Sequence, residues 1–307
     1  MPAGAPSAEA PTNLSRLRWL ADRARVVHPF PSLLNGVATT ALALLAGAGV
    51  PGALRLGIAM TAIQFSIGAL NDLVDAPHDR GRSPVKPVAE GLIRPSAAGV
   101  LIVITAVAGL ALASASGPPA AAVAAAGAAC GYAYDLRLSR TAWAWLPLAI
   151  ALPLVPVFAW VGATGTVPGP LLVLVPIGML AGGGLAVGNA LVDLDVDGAV
   201  AAPSIAVRLG RRRATGLHAA ALGAAVTLAW FTLPTVVPAE ALLLVAAGIA
   251  TLGTGVAGMV VARTGRAEGV ARAARRARLA WQVEAVGTAT VGVGWVLALV
   301  ASGIVAA

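Results

Sequence analysis

Long apolar runs broken by short, arginine-bearing polar segments set the pattern of this chain. A membrane crossing needs about 20 apolar residues in helical form. Nine runs meet or approach that length, at roughly 27–48, 53–71, 98–116, 119–134, 142–161, 169–190, 216–235, 240–262 and 281–305. The run 119–134 is the shortest, and Pro118-Pro119 borders it. The expected fold is all-α: a polytopic membrane protein of about nine transmembrane helices, with residues 16–307 as a single domain. Residues 1–15 are rich in Pro, Ala and Ser and are expected to be a loose tail. No charged start followed by a cleavable apolar core is found there.

Two of the runs end in the same acidic pattern. The stretch Asn71-Asp72-Leu73-Val74-Asp75-Ala76-Pro77-His78-Asp79 returns as Asn189-Ala190-Leu191-Val192-Asp193-Leu194-Asp195-Val196-Asp197, 118 residues later, with five of nine positions identical. These segments hold six of the 13 acidic residues. The duplication argues against solvated loop acids. With four spans between the two motifs, an even number, the halves are expected to be parallel four-helix repeats, with the ninth helix added.

Composition supports the membrane reading and changes what the charge means. At 58% hydrophobic, 11% charged and a mean hydropathy of +0.86, the chain lies outside the soluble globular range. Its net charge of +8 does not point to nucleic acid, because the basic residues are sorted by membrane side. With nine spans and the N-terminus inside, 20 of the 21 Lys and Arg residues fall on inner segments, and Arg55 alone lies near the outer face. The expected placement is therefore an integral protein of a bacterial plasma membrane, with N-terminus and both acidic motifs cytoplasmic and C-terminus outside. The lone Cys130 excludes an internal disulfide and lacks partners for a metal site. His78 and His218 have no partners at zinc spacing and read as surface residues. No obligate protein partner is evident, and the lipid bilayer is the expected surrounding.

Spacing then suggests chemistry. On a helix continued past Asn71, Asp72, Asp75 and Asp79 share a face at i, i+3 and i+7, as do Asp193 and Asp197 at i, i+4. Stacked carboxylates repel unless a cation lies between them, and hard oxygen donors suit Mg²⁺, which takes part of its shell from substrate phosphates. Pro77 predicts a break by Ala76, which would leave Asp79 on the following loop. Two such faces opposite each other would hold a diphosphate through bridging metals. Arg80, Arg82, Lys86, Arg94, Arg137, Arg140 and Arg208 lie beside the acids, where they serve either as phosphate ligands or as topogenic charge. Arg211-Arg212-Arg213 and the run ARAARRAR at 271–278 read as topogenic or bound to anionic headgroups.

NDLVDAPHD and NALVDLDVD resemble the paired signatures of the UbiA superfamily of intramembrane prenyltransferases. Supporting pieces follow in order: Lys86-Pro87 and Gly91, then Tyr134-Asp135-Leu136-Arg137 with Arg140, then Ser204-Ile205-Ala206-Val207-Arg208-Leu209-Gly210. The resemblance spans about residues 25 to 298 and implies nine helices around a central cavity that binds a prenyl diphosphate through Mg²⁺. It assigns Asp72, Asp75, Asp79, Asp193 and Asp197 to the metals, and Asn71 and Asn189 to metal or substrate. Lys86, Tyr134, Arg137, Arg140 and Arg208 fall to the diphosphate, with Asp75, Asp193 and Arg137 closest to the chemistry. Arg25, His28 and Asn35 fall to the acceptor headgroup.

The implied reaction is Mg²⁺-dependent transfer of an isoprenyl group from an allylic prenyl diphosphate to a small, aromatic acceptor, as in quinone or related lipid biosynthesis. The chain departs from the pattern in Ala190 where the first motif has Asp72, and in Gly198–Pro203, which lacks a basic residue. Few aromatic residues are present to stabilise a carbocation. A terpene cyclase of the same superfamily would ionise the same diphosphate and is the alternative. An ion-coupled transporter would carry its acids near mid-membrane, and here they lie at span ends.

Overall fold

The computed structural model describes residues 13–81, 85–194, 204–264 and 270–305, and among these the apolar runs wind into helices with no strand. Ten α-helices follow in order: α1 (Asn13–Ala24), α2 (Pro29–Leu45), α3 (Gly49–Asp75), α4 (Pro95–Ser114), α5 (Pro118–Ala133), α6 (Leu146–Thr164), α7 (Leu174–Val192), α8 (Ile205–Phe231), α9 (Ala239–Thr264) and α10 (Val270–Ala301). Tighter 3-10 turns occupy Arg25–Val27 and Gly169–Val173, and a π turn occupies Tyr134–Leu138. Among the described residues, seven helices are long and apolar enough to cross a membrane: α3, α4, α6, α7 with the turn before it, α8, α9 and α10. The nine expected crossings are met by seven on this measure. The other two apolar helices, α2 with 17 residues and α5 with 16, are short of the roughly 20 that a span requires.

The boundaries follow from local chemistry. Pro29, Pro95 and Pro118 stand in first turns, where a missing N–H costs no hydrogen bond. Pro77 cannot continue α3, which ends at Asp75 as expected and leaves Asp79 beyond it. Ser204 caps α8, its Oγ accepting the Val207 N–H at 3.4 Å. Two helices begin earlier than the apolar runs suggest. The basic segment Arg208–Arg213 is already helical in α8, around a break at Gly210, and the run up to Arg278 forms the first turns of α10. Residues 13–15, expected in a loose tail, belong to α1.

Small residues bring the helices together, as suits packing without a hydrophobic driving force. A Cβ on Gly109 would lie 2.9 Å from the Ala59 carbonyl oxygen, and one on Gly178 would lie 2.9 Å from Pro153 Cβ. These contacts lock α4 to α3 and α7 to α6. The main apolar cluster includes Leu42, Leu56, Phe158, Trp160, Leu171, Trp295 and Leu299. These residues lie towards the helix ends remote from the acidic motifs, and they close the bundle there. Trp295 keeps its indole N–H satisfied on Thr232 Oγ1 at 3.1 Å. The polar side chains gather at the opposite end.

Candidate active site

The first acidic motif is built at the end of α3, where the helix stops and the chain folds back across it. Asp72, almost wholly buried, accepts the Val88 N–H on Oδ2 at 2.8 Å and so anchors the loop that carries Lys86. That loop closes on itself, with the Gly81 N–H donating to Glu90 Oε1 and Gly91 at φ +70°, a left-handed turn open to glycine. Lys86 Nζ is then 3.4 Å from the buried Asp79 Oδ2. Asp75, one turn after Asn71, has Arg140 Nη2 at 3.3 Å on Oδ1 and the Asn71 amide at 3.2 Å on Oδ2. The same amide donates to Asp135 Oδ1 at 3.0 Å. Asp135 sits in the π turn after α5, a rare geometry that recurs at functional sites. Burial above all, with the nearby Asp75 charge, pushes its carboxyl up to about 7 against the opposing Asn71 hydrogen bond and Lys86 charge.

The second motif ends α7, and Arg278 of α10 reaches it, with Nη2 3.2 Å from Asp193 Oδ1. Asn189 is half-buried in the turn before. Asp195 and Asp197 lie outside the described residues.

His28 joins the two halves. It stands between the turn Arg25–Val27 and α2 with φ +46°, the one described non-glycine residue in the left-handed region. Ser32 Oγ donates to the Val27 and His28 carbonyls at 2.8 and 3.0 Å, holding that turn. Gly68 lets it lie against α3, since a Cβ there would stand 2.7 Å from the Val27 carbonyl carbon. Burial, then the charges of Lys86 and Arg278, lowers the His28 imidazole to about 3, so it is neutral at physiological pH. Lys86 belongs to the first motif's loop and Arg278 to the second motif's ion pair. Charges from both motif ends therefore reach His28.

Of the residues singled out by sequence, Asn71, Asp72, Asp75, Asp79, Lys86 and Arg140 come together, with Asp193 across the site. Asp72 and Asp75 stand three residues apart on α3 and Asp79 lies beyond its end, each with its own partner: Val88 for Asp72, Arg140 and Asn71 for Asp75, and Lys86 for Asp79. Tyr134 is half-buried at the head of the π turn. Arg137 and Arg208 are exposed and form no ion pair with the described acids. Asn35 is half-buried on α2, two turns beyond His28. Sequence reading missed the Asp135 contact and the Arg278 pair, for which an acid and a base at the ends of apolar runs were the only signals. It also misplaced His218, which is 1% exposed rather than on the surface. His218 bonds the Gly184 carbonyl through Nδ1 at 2.8 Å and Glu284 Oε1 through Nε2 at 3.0 Å, tying α8 to α7 and α10. His78 is exposed, as expected.

Among the described residues no three acids, histidines or cysteines form a ready metal cluster. The donor chemistry nevertheless fits a hard divalent cation: Asp72 Oδ1 and Asp135 Oδ2 are buried carboxyl oxygens without a hydrogen-bond partner, beside the Asn71 amide. No sulfur or imidazole ligand competes in that set.

Solved structures share this arrangement of helices. A UbiA homologue from Aeropyrum pernix K1 in its apo form is 18% identical over 88% of this chain and 97% of its own, with a TM-score of 0.65. A UbiA homologue from Archaeoglobus fulgidus, bound to GPP and Mg²⁺, is 16% identical over 88% of this chain and 99% of its own, with a TM-score of 0.61. A structure described with digeranylgeranylglyceryl phosphate synthase is 14% identical over 90% of this chain and 99% of its own, with a TM-score of 0.62. At these identities the likeness is one of fold. No curated protein matches the chain in sequence. Residues 35–282 match the profile of the UbiA prenyltransferase family. A match over so much of the chain, on a fold shared with solved UbiA homologues, means that the protein belongs to the UbiA prenyltransferase family.

Proposed function

We propose that this integral membrane protein transfers an isoprenyl group from an allylic prenyl diphosphate to a small, aromatic acceptor in quinone or related lipid biosynthesis. The observation that carries the reading is that Lys86, paired with Asp79 of the first acidic motif, and Arg278, paired with Asp193 of the second, both act on His28. Binding of GPP, and in another structure DMAPP, with Mg²⁺ by the Archaeoglobus fulgidus homologue supports it.

Mg²⁺, held by oxygens of Asn71, Asp72, Asp75 and Asp79 on one side and of Asn189, Asp193 and Asp197 on the other, would neutralise the diphosphate as it leaves. The chain's own cations complete that task. Lys86, Arg140 and Arg278 are paired with carboxylates at 3.2 to 3.4 Å, and each can turn part of its donor set to phosphate oxygens without leaving the site. Half-buried Tyr134 and exposed Arg137 and Arg208 would add donors to the diphosphate. Neutral His28 can exchange hydrogen bonds with an acceptor without adding positive charge beside a developing allylic cation. Asn35, two turns along α2, and Arg25 extend that acceptor side. The bilayer receives the prenyl tail and keeps water from the cation.

The nine apolar helices are read as two parallel four-helix repeats and a ninth, α2–α5, α6–α9 and α10. This is supported by α3 and α7 ending within one residue of the same register, at Asp75 and Val192. The motif end is read as cytoplasmic from the sorting of basic residues. His78→Cys and Thr235→Cys in a Cys130→Ala background should label from opposite sides of sealed vesicles, and same-side labelling would overturn the topology.

The function is tested on purified protein in nanodiscs with GPP and a panel of hydroxybenzoate, naphthoate and glycerol-phosphate acceptors, read by mass spectrometry. Prenylated acceptor that requires Mg²⁺ is expected. Undiminished transfer in excess EDTA removes the metal roles, and the absence of transfer to every acceptor removes the reaction.

A further inference from the structure

Helix α1 carries an apolar face with no protein against it. Leu17, Leu20, Ala21 and Ala24 fall within about 100° on a helical projection at 100° per residue. All four are exposed, Leu17 at 63% and Leu20 at 55%. The opposite side carries Arg18, Trp19, Asp22 and Arg23; Arg18 and Trp19 are exposed as well, and the protein half-buries α1 only at Asp22 and Arg23. The helix is thus turned with its greasy side away from the protein, and the turn Arg25–Val27 is its principal packing partner.

Its location is set by that turn. Val27 and His28 pack on Gly68, seven residues before the end of α3, so α1 leaves the bundle at the end that holds the acidic motifs. Leu33 and Val37 on α2 are exposed as well, and exposed Trp143 follows the π turn near the same end. Amphipathic helices that lie in a bilayer interface combine an aliphatic face with Arg or Lys and Trp on the other side.

Charge complementarity selects the lipid. Arg18, Arg23 and Arg25 face a single acid, Asp22, which pairs with Arg25 at 3.3 Å. The Arg23 guanidinium lies 3.6 Å over the Trp19 ring, and its buried Nη1 has no acceptor among the described residues. Stacking holds Arg23 on the polar side of α1 beside Arg18, where the two positive charges favour an anionic headgroup layer.

We propose that α1 is an interfacial helix that seats on anionic phospholipid at the motif end of the bundle, with Leu17 and Leu20 in the acyl layer and Arg18 and Arg23 on headgroup phosphates. The seat anchors the turn that presents His28, because only Arg25–Val27 separate them. This inference does not depend on the reaction proposed above.

The test uses the full chain with Cys130→Ala in nanodiscs of phosphatidylcholine, with and without phosphatidylglycerol. Nitroxides at Leu17→Cys and Leu20→Cys report access to oxygen in the bilayer and to a water-soluble nickel chelate. Oxygen-dominated access in phosphatidylglycerol discs, weakened by high salt, is expected. Arg18→Gln and Arg23→Gln should each lower the ratio of seated to free helix by about 5-fold, since a basic residue at an anionic surface contributes about 1 kcal/mol. Three outcomes overturn the proposal: nickel access at Leu20 in anionic discs, equal seating with and without phosphatidylglycerol, or exclusion of both reagents by a second copy or other protein.

Discussion

The Asp75→Asn substitution separates charge from shape at the first motif. Asparagine keeps the volume and one oxygen acceptor, and loses the negative charge that Arg140 meets at 3.3 Å and Asn71 at 3.2 Å. The Arg140 side chain is 40% exposed and that of Asp75 19%, and ion pairs open to solvent contribute about 0.2–1 kcal/mol to stability. At about 2–4 °C per kcal/mol for a large domain, the melting midpoint should fall by no more than about 4 °C. Catalysis should suffer far more. Loss of one preorganised group acting on a developing leaving-group charge costs about 10²–10³-fold, or about 2.7–4 kcal/mol. Single-turnover transfer from labelled GPP, measured beside a thermal-unfolding curve in the same detergent, gives both numbers. A kcat/KM within roughly tenfold of the parent protein, or a fall in midpoint large enough to account for the lost activity, would refute the assignment.

Further outcomes follow from the same geometry. Gly68→Ala places a Cβ 2.7 Å from the Val27 carbonyl carbon, so it should cost about 1–3 kcal/mol of stability and displace His28, lowering transfer; an unchanged midpoint and rate would show that the contact is loose. With its folded value held at about 3, His28 stays neutral while the unfolded chain takes up a proton near 6.5, so its share of stability is present above pH 6.5 and is lost as pH falls below it, by up to about 1.4 kcal/mol per pH unit. The difference in unfolding midpoint between the parent and His28→Gln should therefore change between pH 7 and 5, and parallel curves would contradict the lowered value of the imidazole. Asp193→Asn should lower transfer about as much as Asp75→Asn, and wild-type rates in that variant would leave the second motif without a metal role. Given prenyl diphosphate and no acceptor, the protein should release only slow prenol, whereas full turnover to a cyclic product would mark a cyclase.

Much was legible in the sequence because local chemistry decides it. Apolar runs of spanning length located the helices, Pro77 ended α3 and put Asp79 on the loop, and the duplicated acids fall at the ends of α3 and α7 as their spacing suggests. Glycine at 91 is the residue that its left-handed turn favours. What the tertiary structure decided are pairings between residues far apart in the chain: Asn71 with Asp135, 64 residues on, His218 with Glu284, 66 on, and Asp193 with Arg278, 85 on. No period of 3.6 or 2 connects such partners. Helix faces were equally silent, because in a membrane the outward side is as apolar as the inward one, and hydrophobic periodicity no longer tells core from surface. That is why His218 read as exposed and is buried, and why Arg278 read as one of a topogenic cluster and stands against Asp193. For α1 the reverse holds. Its amphipathic spacing was present in the chain, but only the fold shows that its apolar face turns away from the protein.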